Sequence, residues 1–510
     1  MIKTATTFVT DNPYLQSIYD NAERVLLSSV KSFGDRRVLT LTPSADHITL
    51  NSEVLGATTL SARDTEAALN TVKAFLVTQR EDGRLADSIY FRDGAILAKY
   101  DKLTGFCFAE EALSLYHLTR KKDSEYLSAL LTALERFDTY LWEHHDLNFN
   151  HCLELFDESE TEEGIGAGRY NALRIQYEGE MREVSPFPIE SADLMAADVA
   201  IRHAIARIYT LYGDTHNAKA WSLKAIDVQA HLKQGMWSDS NRACYDSDYR
   251  GRTIDVLSNN NLFMMYYGAF DRDMANGFVN QHLKNPEDFY TAFPLPGIAV
   301  GDACFSHGGT PDFNGLSRGM TYRRAIGALE KYGYYSFLTE LGWKLLDAVG
   351  EGVFGEQFDP FSGKVVPRVG DCRYAPTAAA ALEFLARFFG VCQEMDRLHW
   401  GAVGHADGHN SEFCFRMGGD DLRLVAEEKT SSGFIGEERL FTVTNGMRVI
   451  TDLRGDGARV VNVTDQPIDG VFVYRDRTYS FLLAPDEVFD VRTIYEEANV
   501  NKMKKVKKTD

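Results

Sequence analysis

One stretch of this 510-residue chain has the residue types and spacing of a catalytic loop. Phe354-Gly355-Glu356-Gln357-Phe358-Asp359-Pro360-Phe361-Ser362-Gly363-Lys364 sets a carboxylate after a helix end, then an aromatic, an Asp-Pro turn and a glycine. Turn chemistry of this kind holds an acid rigidly at an element terminus, which suits acid–base work; taken alone, the loop reads first as an ordinary turn. A second acidic stretch carries Asp157, Glu158, Glu160, Glu162 and Glu163. It reads either as a solvated loop or as a field that keeps a neighbouring carboxyl protonated. Other chemistries find little footing. His144-His145 and the pair His405 and His409 are the close histidine groups, and no acid or cysteine set completes a metal site around them. No phosphate-cradling G-x-x-x-x-G-K-[ST], no strand followed by G-x-G-x-x-G and no G-x-S-x-G occurs. No cofactor and no metal are therefore expected.

The elements that must position these acids are mostly helical. Tyr126, Leu130, Leu134, Phe137 and Leu141 place one apolar stripe on a helix. Phe106, Ala109, Leu113 and Tyr116 do so before it, and Leu194, Ile201, Ile205 and Ile208 after it. The pattern predicts about eleven or twelve helices, near 12–33, 61–80, 104–119, 123–145, 190–213, 215–234, 255–269, 271–284, 317–333, 335–350 and 374–390. Short joints such as Gly213-Asp214 and Tyr332-Gly333-Tyr334 force antiparallel hairpins, and consecutive hairpins can close into a toroid around a funnel. Residues 146–189, 236–254 and 285–316 are long loops rich in turn residues, Trp, Tyr and carboxylates, of the kind that carry function and would gather at one mouth. After about residue 400 the period shortens to strands, as in Glu412–Met417, Leu440–Val443 and Gly470–Tyr474. The expected organisation is a toroid over 1–398, a small antiparallel β-domain of five to seven strands over 399–495, and a frayed basic tail over 496–510.

Two further segments give the Glu356 loop a context. Asp288-Phe289-Tyr290-Thr291-Ala292-Phe293-Pro294-Leu295-Pro296-Gly297 precedes Asn314-Gly315-Leu316-Ser317-Arg318-Gly319, whose helix ends Leu329-Glu330-Lys331-Tyr332-Gly333-Tyr334. In this order the segments resemble the six-hairpin (α/α)6 glycoside hydrolases of the trehalase, processing α-glucosidase and mannosylglycerate-hydrolase type. Those proteins run through a "dP..F.t.fplPsva" stretch, an "N.WrGp" turn, a "YGy" joint and an "E.ydP.tG" loop. Gln79-Arg80-Glu81-Asp82-Gly83-Arg84-Leu85 is similar to their "Q.edG.lp" joint, and Ser191-Ala192-Asp193-Leu194-Met195-Ala196 to their "vdlna" helix start. The resemblance covers about residues 50–395. It implies that Glu356 is the general base and that its partner acid lies in a segment like "E.G.D.s.R". Here that segment is Asp157 to Tyr170, anchored by Glu160-Thr161 and Arg169-Tyr170. No Asp falls at the expected place; Glu163 is the nearest carboxylate and Asp157 the nearest Asp. The turn at Asn314 also lacks the family's Trp.

The implied activity is cleavage of an α-linked disaccharide, glycoside or short oligosaccharide with inversion, by a carboxylate pair ~6.5–9.5 Å apart with water between. Substrate contacts are expected from Arg63 and Asp64 at the start of an early helix, and from Arg169. Asn314, Arg318 and Tyr322 would join them at the turn and its helix, and Trp237 would stack on a sugar from its loop. Two alternatives stay open: a non-catalytic carbohydrate-binding protein on the same scaffold, and a toroid polysaccharide lyase. The net charge of −20 argues against a nucleic-acid partner. No window of 18 or more apolar residues is free of charge, the start Met1-Ile2-Lys3-Thr4 lacks a secretory core, and the seven cysteines are scattered. A cytoplasmic protein with a small carbohydrate substrate is expected, with nothing to indicate its oligomeric state.

Overall fold

The computed structural model describes residues 3–34, 36–92, 95–120, 123–157, 160, 187–307, 315–367, 372–405 and 407–491. Twelve α-helices lie among the described residues, and they fall into two kinds. Six are α1 (Pro13–Ser28), α3 (Thr65–Val77), α5 (Ser124–His144), α7 (Thr215–Met236), α9 (Arg272–Phe278) and α11 (Tyr335–Ala348). Those that are long enough bury one stripe. In α7 only Ala225, Val228, Leu232 and Met236 are buried. The other six are α2 (Ser52–Ser61), α4 (Phe108–Leu118), α6 (Ala192–Leu211), α8 (Asn260–Tyr267), α10 (Gly319–Tyr332) and α12 (Ala375–Phe389). These are enclosed on nearly all sides. Every residue of α2 and of α8 is buried, and every residue of α12 except Glu383.

The enclosed helices pack in a closed cycle. α2 contacts α4, α4 contacts α6, α6 contacts α8, α8 contacts α10, α10 contacts α12, and α12 returns to α2. The connections divide by length. Each enclosed helix through α10 hands over to the next outer one through a joint of a few residues, with Gly213, Gly268 and Gly333 in the left-handed conformation at three of them. The connections from outer to enclosed helices are long, so they all reach the face on which the enclosed helices begin. They are knitted together there in pairs. His47–Thr49 pairs with Ser88–Arg92, Ile189–Glu190 with Ser247–Asp248, and Ser317–Arg318 with Gln357–Phe358.

Among the described residues, the eleven strands from Val391 onward, joined by Thr4–Thr10, form two antiparallel sheets of seven and five strands. They outnumber the five to seven expected, in part because the pair Val391–Glu394 and Arg397–Ala402 follows α12 directly. One edge strand of the larger sheet is Thr4–Thr10, which pairs with Ser411–Met417 from the other end of the chain. Phe8 packs against Phe389 of α12 and Phe413 of the sheet, so one hydrophobic core runs from the helices into the strands. No helix among the described residues is long and apolar enough to cross a membrane.

Candidate active site

Glu356 lies on the face where the enclosed helices begin, in the connection from α11 to α12. Its loop is fixed from several sides. Thr377 Oγ1, in the first turn of α12, donates to the Gly355 carbonyl at 2.7 Å, and the Gly319 N–H donates to the Glu356 carbonyl at 3.3 Å. Phe358 is fully buried and stacks on Phe293 with centroids 4.6 Å apart. Asp359 closes the turn by accepting from the N–H groups of Phe361 and Ser362 and from the Ser362 hydroxyl. Partial burial opposes ionisation of Asp359, but these bonds hold its carboxyl below the usual range. Gly363 supplies the positive φ of +68° that the turn needs.

The two-residue pairing with Ser317–Arg318 sets Arg318 against Glu356, Nη2 to Oε1 at 3.1 Å, with both side chains mostly buried. Tyr374, which precedes α12, is also close. Its phenol is pushed up chiefly by burial and then by the charge of Glu356. Its hydroxyl lies 3.5 Å from Ser52 Oγ at the start of α2. Arg324 donates to Asn51 Oδ1 at 2.5 Å and lies over the Phe263 ring, joining α10, α2 and α8. Deeper along the helices, Glu111 of α4 accepts from the Tyr266 hydroxyl of α8 and from Arg323 of α10, which also donates to Thr58 of α2. Burial raises the Glu111 carboxyl. This four-helix layer forms a charged floor beneath the mouth.

Across the cycle from Glu356, Asp193 is fully buried at the start of α6 and accepts from Ser191 Oγ and Asn260 Nδ2. The Oδ1 atoms of Asn259 and Asn260 are buried with no partner among the described residues. These asparagines are not among the residues expected at the site. The run Asn259-Asn260-Asn261 at a helix start, where an apolar enclosed helix has no local use for three amides, was the available signal. Most outer helices carry a side-chain cap, from Asn12, Asp64, Asp123, Asp214 or Asp271. Five of the six enclosed helices, all but α6, have none. Their N-terminal N–H groups and the positive ends of their dipoles therefore meet at this mouth, where they favour oxygen ligands and carboxylates.

The remaining predicted residues are placed differently. Tyr322 is fully buried and its hydroxyl donates to the Pro294 carbonyl at 3.1 Å, so it braces the Phe293–Pro294 loop and has no face for a ligand. Arg63 and Asp64 do not open an enclosed helix. They sit in the joint after α2, roughly 14 Å of helical rise from Ser52. Arg63 pairs with Glu23 at 2.5 Å; Asp64 caps α3 and pairs with Arg37 at 2.7 Å. Trp237 packs its edge on Phe270, and its Nε1 donates to Asp239. Asp157 is exposed, whereas Glu160 is buried and accepts from the Phe156 N–H; burial raises its carboxyl. Glu163, Arg169 and Asn314 lie outside the described residues. Glu330, Glu394 and His399 bring possible metal ligands within 4.8 Å of one another. The Glu330 carboxylate is already held by Arg387 and Arg448, and two guanidinium groups beside it disfavour a dication.

Residues 57–371 match the family model described as the mannosylglycerate hydrolase MGH1-like glycoside hydrolase domain. No curated protein matches the chain. Among solved structures, the GH63 mannosylglycerate hydrolase from Thermus thermophilus in complex with glucose superposes with a TM-score of 0.60 at 17% identity, covering 72% of this chain and 100% of that one. Neutral trehalase Nth1 from Saccharomyces cerevisiae gives 0.51 at 13% identity, over 71% of this chain and 79% of that one. The GH78 family rhamnosidase of Bacillus sp. GL1 gives 0.57 at 12% identity, over 83% and 40%.

Proposed function

The chain belongs to the mannosylglycerate hydrolase MGH1-like glycoside hydrolase family, and on that premise we propose that it hydrolyses an α-linked disaccharide, glycoside or short oligosaccharide with inversion. As a glycosidase it must stabilise an oxocarbenium-like state, with one acid protonating the leaving oxygen and a carboxylate activating water. In this reading the closed helix cycle is the inner ring of an (α/α)6 toroid and its mouth is the sugar site. Glu356 takes the proton from water. The observation that carries the reading is the immobilised Glu356, fixed at that mouth by Arg318, the Gly319 N–H and Thr377. Arg318 holds one carboxylate oxygen, which orients the other toward the water. The partner acid comes from the α5–α6 connection, with Glu163 first and Asp157 in reserve. Relatives that act on mannosylglycerate and on trehalose favour a small α-linked substrate.

Replacing Glu356 by Gln should lower the release of sugar from a cleaved α-glycoside by ~10²–10⁴-fold, the usual contribution of a general base, without altering the circular-dichroism melting curve. The first product seen by NMR should be the β-anomer. An unchanged rate in the folded variant would remove Glu356 from the mechanism, and an α-anomer would remove inversion. Parallel Glu163→Gln and Asp157→Asn variants identify the acid by which of them loses turnover.

A further inference from the structure

The seven-stranded sheet has two edges, and they are finished differently. At Thr4–Thr10 the side chain of Gln16, on α1, covers the open backbone: it donates to the Phe8 carbonyl at 3.2 Å and accepts from the Thr10 N–H at 3.0 Å. The opposite edge is Arg477–Leu483, which forms a hairpin with Ile468–Tyr474. Its Thr478, Ser480 and Leu482 are all exposed. We propose that this edge is an interaction surface for a second copy of the chain, which pairs with it antiparallel about a two-fold axis at Ser480 and joins the two larger sheets into one.

The parity of the strand shows which of its groups are open. The two-residue turn Arg475-Asp476 closes the hairpin on the pair Tyr474 and Arg477, and the Arg475 N–H donates to the Leu440 carbonyl on the far side. Arg477, Tyr479, Phe481 and Leu483 therefore turn their backbone groups to Ile468–Tyr474, while Thr478, Ser480 and Leu482 turn theirs outward. Nothing among the described residues bonds to the outward N–H and carbonyl groups. Folded proteins block such edges with lysine, proline, a bulge or a covering element. From Thr478 to Leu483 there is no charge and no proline, and the register with Ile468–Tyr474 runs without a shift.

The strand is complementary to itself when reversed. Setting Ser480 against Ser480 places Thr478 of each copy opposite Leu482 of the other, so the outward donors and acceptors meet in register along the whole open stretch. The ends match as well. Arg475-Asp476-Arg477 opens the strand with a net positive charge, and Asp486-Glu487 follows it with negative charge. Reversal brings each positive start toward the negative end of the other copy, whereas a parallel arrangement would bring like ends together. Leu482 and Val471, 71% and 44% exposed, lie on the same outer face as Ser480, so pairing also covers apolar surface. The edges that remain in the joined sheet are the two covered by Gln16, so the assembly closes at two copies.

Sedimentation equilibrium of the full chain, with amide hydrogen exchange read across Arg477–Leu483, tests the proposal on the wild type, Ser480→Pro and Leu482→Lys. The Ser480 N–H faces outward, so proline there removes no ladder bond within the chain. The wild type should show a monomer–dimer equilibrium, with exchange at Thr478, Ser480 and Leu482 slowing as protein concentration rises. Both variants should weaken dimerisation roughly tenfold or more and still fold, as circular dichroism would show. A wild type that stays monomeric at every concentration would overturn the proposal, as would dimers that persist in both folded variants. Protection of the three amides that does not depend on concentration would mean that a segment of the same chain covers the edge, and would also overturn it. Should Ser480→Pro fail to fold, Leu482→Lys carries the test, since that side chain lies mostly in solvent.

Discussion

Arg318 reaches Glu356 because two residues on each side of a short antiparallel pairing fix their register, not because the two are near in sequence. A charge-assisted hydrogen bond in such a place is worth about 1.5–3 kcal/mol. Arg318→Met should therefore cost about 1.5–3 kcal/mol of stability, read from urea midpoints, and lower kcat/KM because the freed carboxylate loses its orientation, read from steady-state kinetics. Both residues were legible in the sequence, because each sits at a turn whose composition fixes an element end. Tyr322 was legible as a face-mate of Arg318 one turn away, but not in its role. The carbonyl that engages it belongs to Pro294, 28 residues earlier. Arg63 failed in the same way: an arginine suits a sugar hydroxyl or a carboxylate, and the choice was made by Glu23, forty residues upstream.

At the scale of elements, five of the six enclosed helices fall within the predicted spans, and α2 does not. Tyr126, Leu130, Leu134, Phe137 and Leu141 are all buried on α5, as their spacing predicts. The pattern predicts no helix over α2, because a helix buried on every side has no polar stripe to set a period. The division of the connections into short and long makes a distinct prediction for two glycines. At Gly213, in a short joint, φ is +78° and nothing lies within 4 Å of an added Cβ. Gly213→Ala should cost about 1–2 kcal/mol from the left-handed conformation alone and leave kcat/KM intact. At Gly319, beside the mouth, a Cβ would run into the Thr377 side chain that holds the Glu356 loop. Gly319→Ala should cost about 1–3 kcal/mol by overpacking and lower kcat/KM as well. Urea denaturation and kinetics on the two variants would separate the effects.

At the scale of the molecule, the helices and the sheets are joined by a buried ionic knot. Glu330 of α10 is bonded to Arg387 of α12 and to Arg448, which is fully buried on the strand Met447–Asp452. Burial opposes ionisation of Glu330, but Arg387 and Arg448 hold its carboxyl well below the usual carboxylate range. Glu330→Gln leaves Arg448 uncompensated and Arg387 with Glu383 alone, and should cost about 3–5 kcal/mol, read from urea midpoints. The pH dependence follows from the same knot and from three enclosed imidazoles. Desolvation lowers His145 and His405 to about 4 and His399 to about 3, from an ordinary value of 6.5. At these imidazoles the unfolded chain binds more protons than the folded one below pH 6.5, so their share of stability falls as the medium is acidified through that window. Glu330 adds a further loss once pH drops below 4.5, the ordinary glutamate value, toward its depressed folded one. Burial raises Glu394 to about 7 and Glu53 to about 8, so the folded chain keeps protons there that the unfolded one has lost, which opposes the imidazoles between pH 4.5 and 6.5. Urea midpoints should therefore decline below pH 4.5 and also as pH rises from 6.5 toward 8.

The pairing of Thr4–Thr10 with Ser411–Met417 was beyond any local reading of the sequence, since Thr10 and Asn410 stand 400 residues apart. At ribosomal rates of ~5–20 residues per second, the first strand is made roughly 20–80 s before its neighbour emerges. Throughout that interval the strand lacks its ladder partner, and the Phe8 ring lacks Phe389 and Phe413. A nascent chain of this protein should therefore be a client for chaperones that bind extended segments, until translation of the final hundred residues gives the opening segment its place.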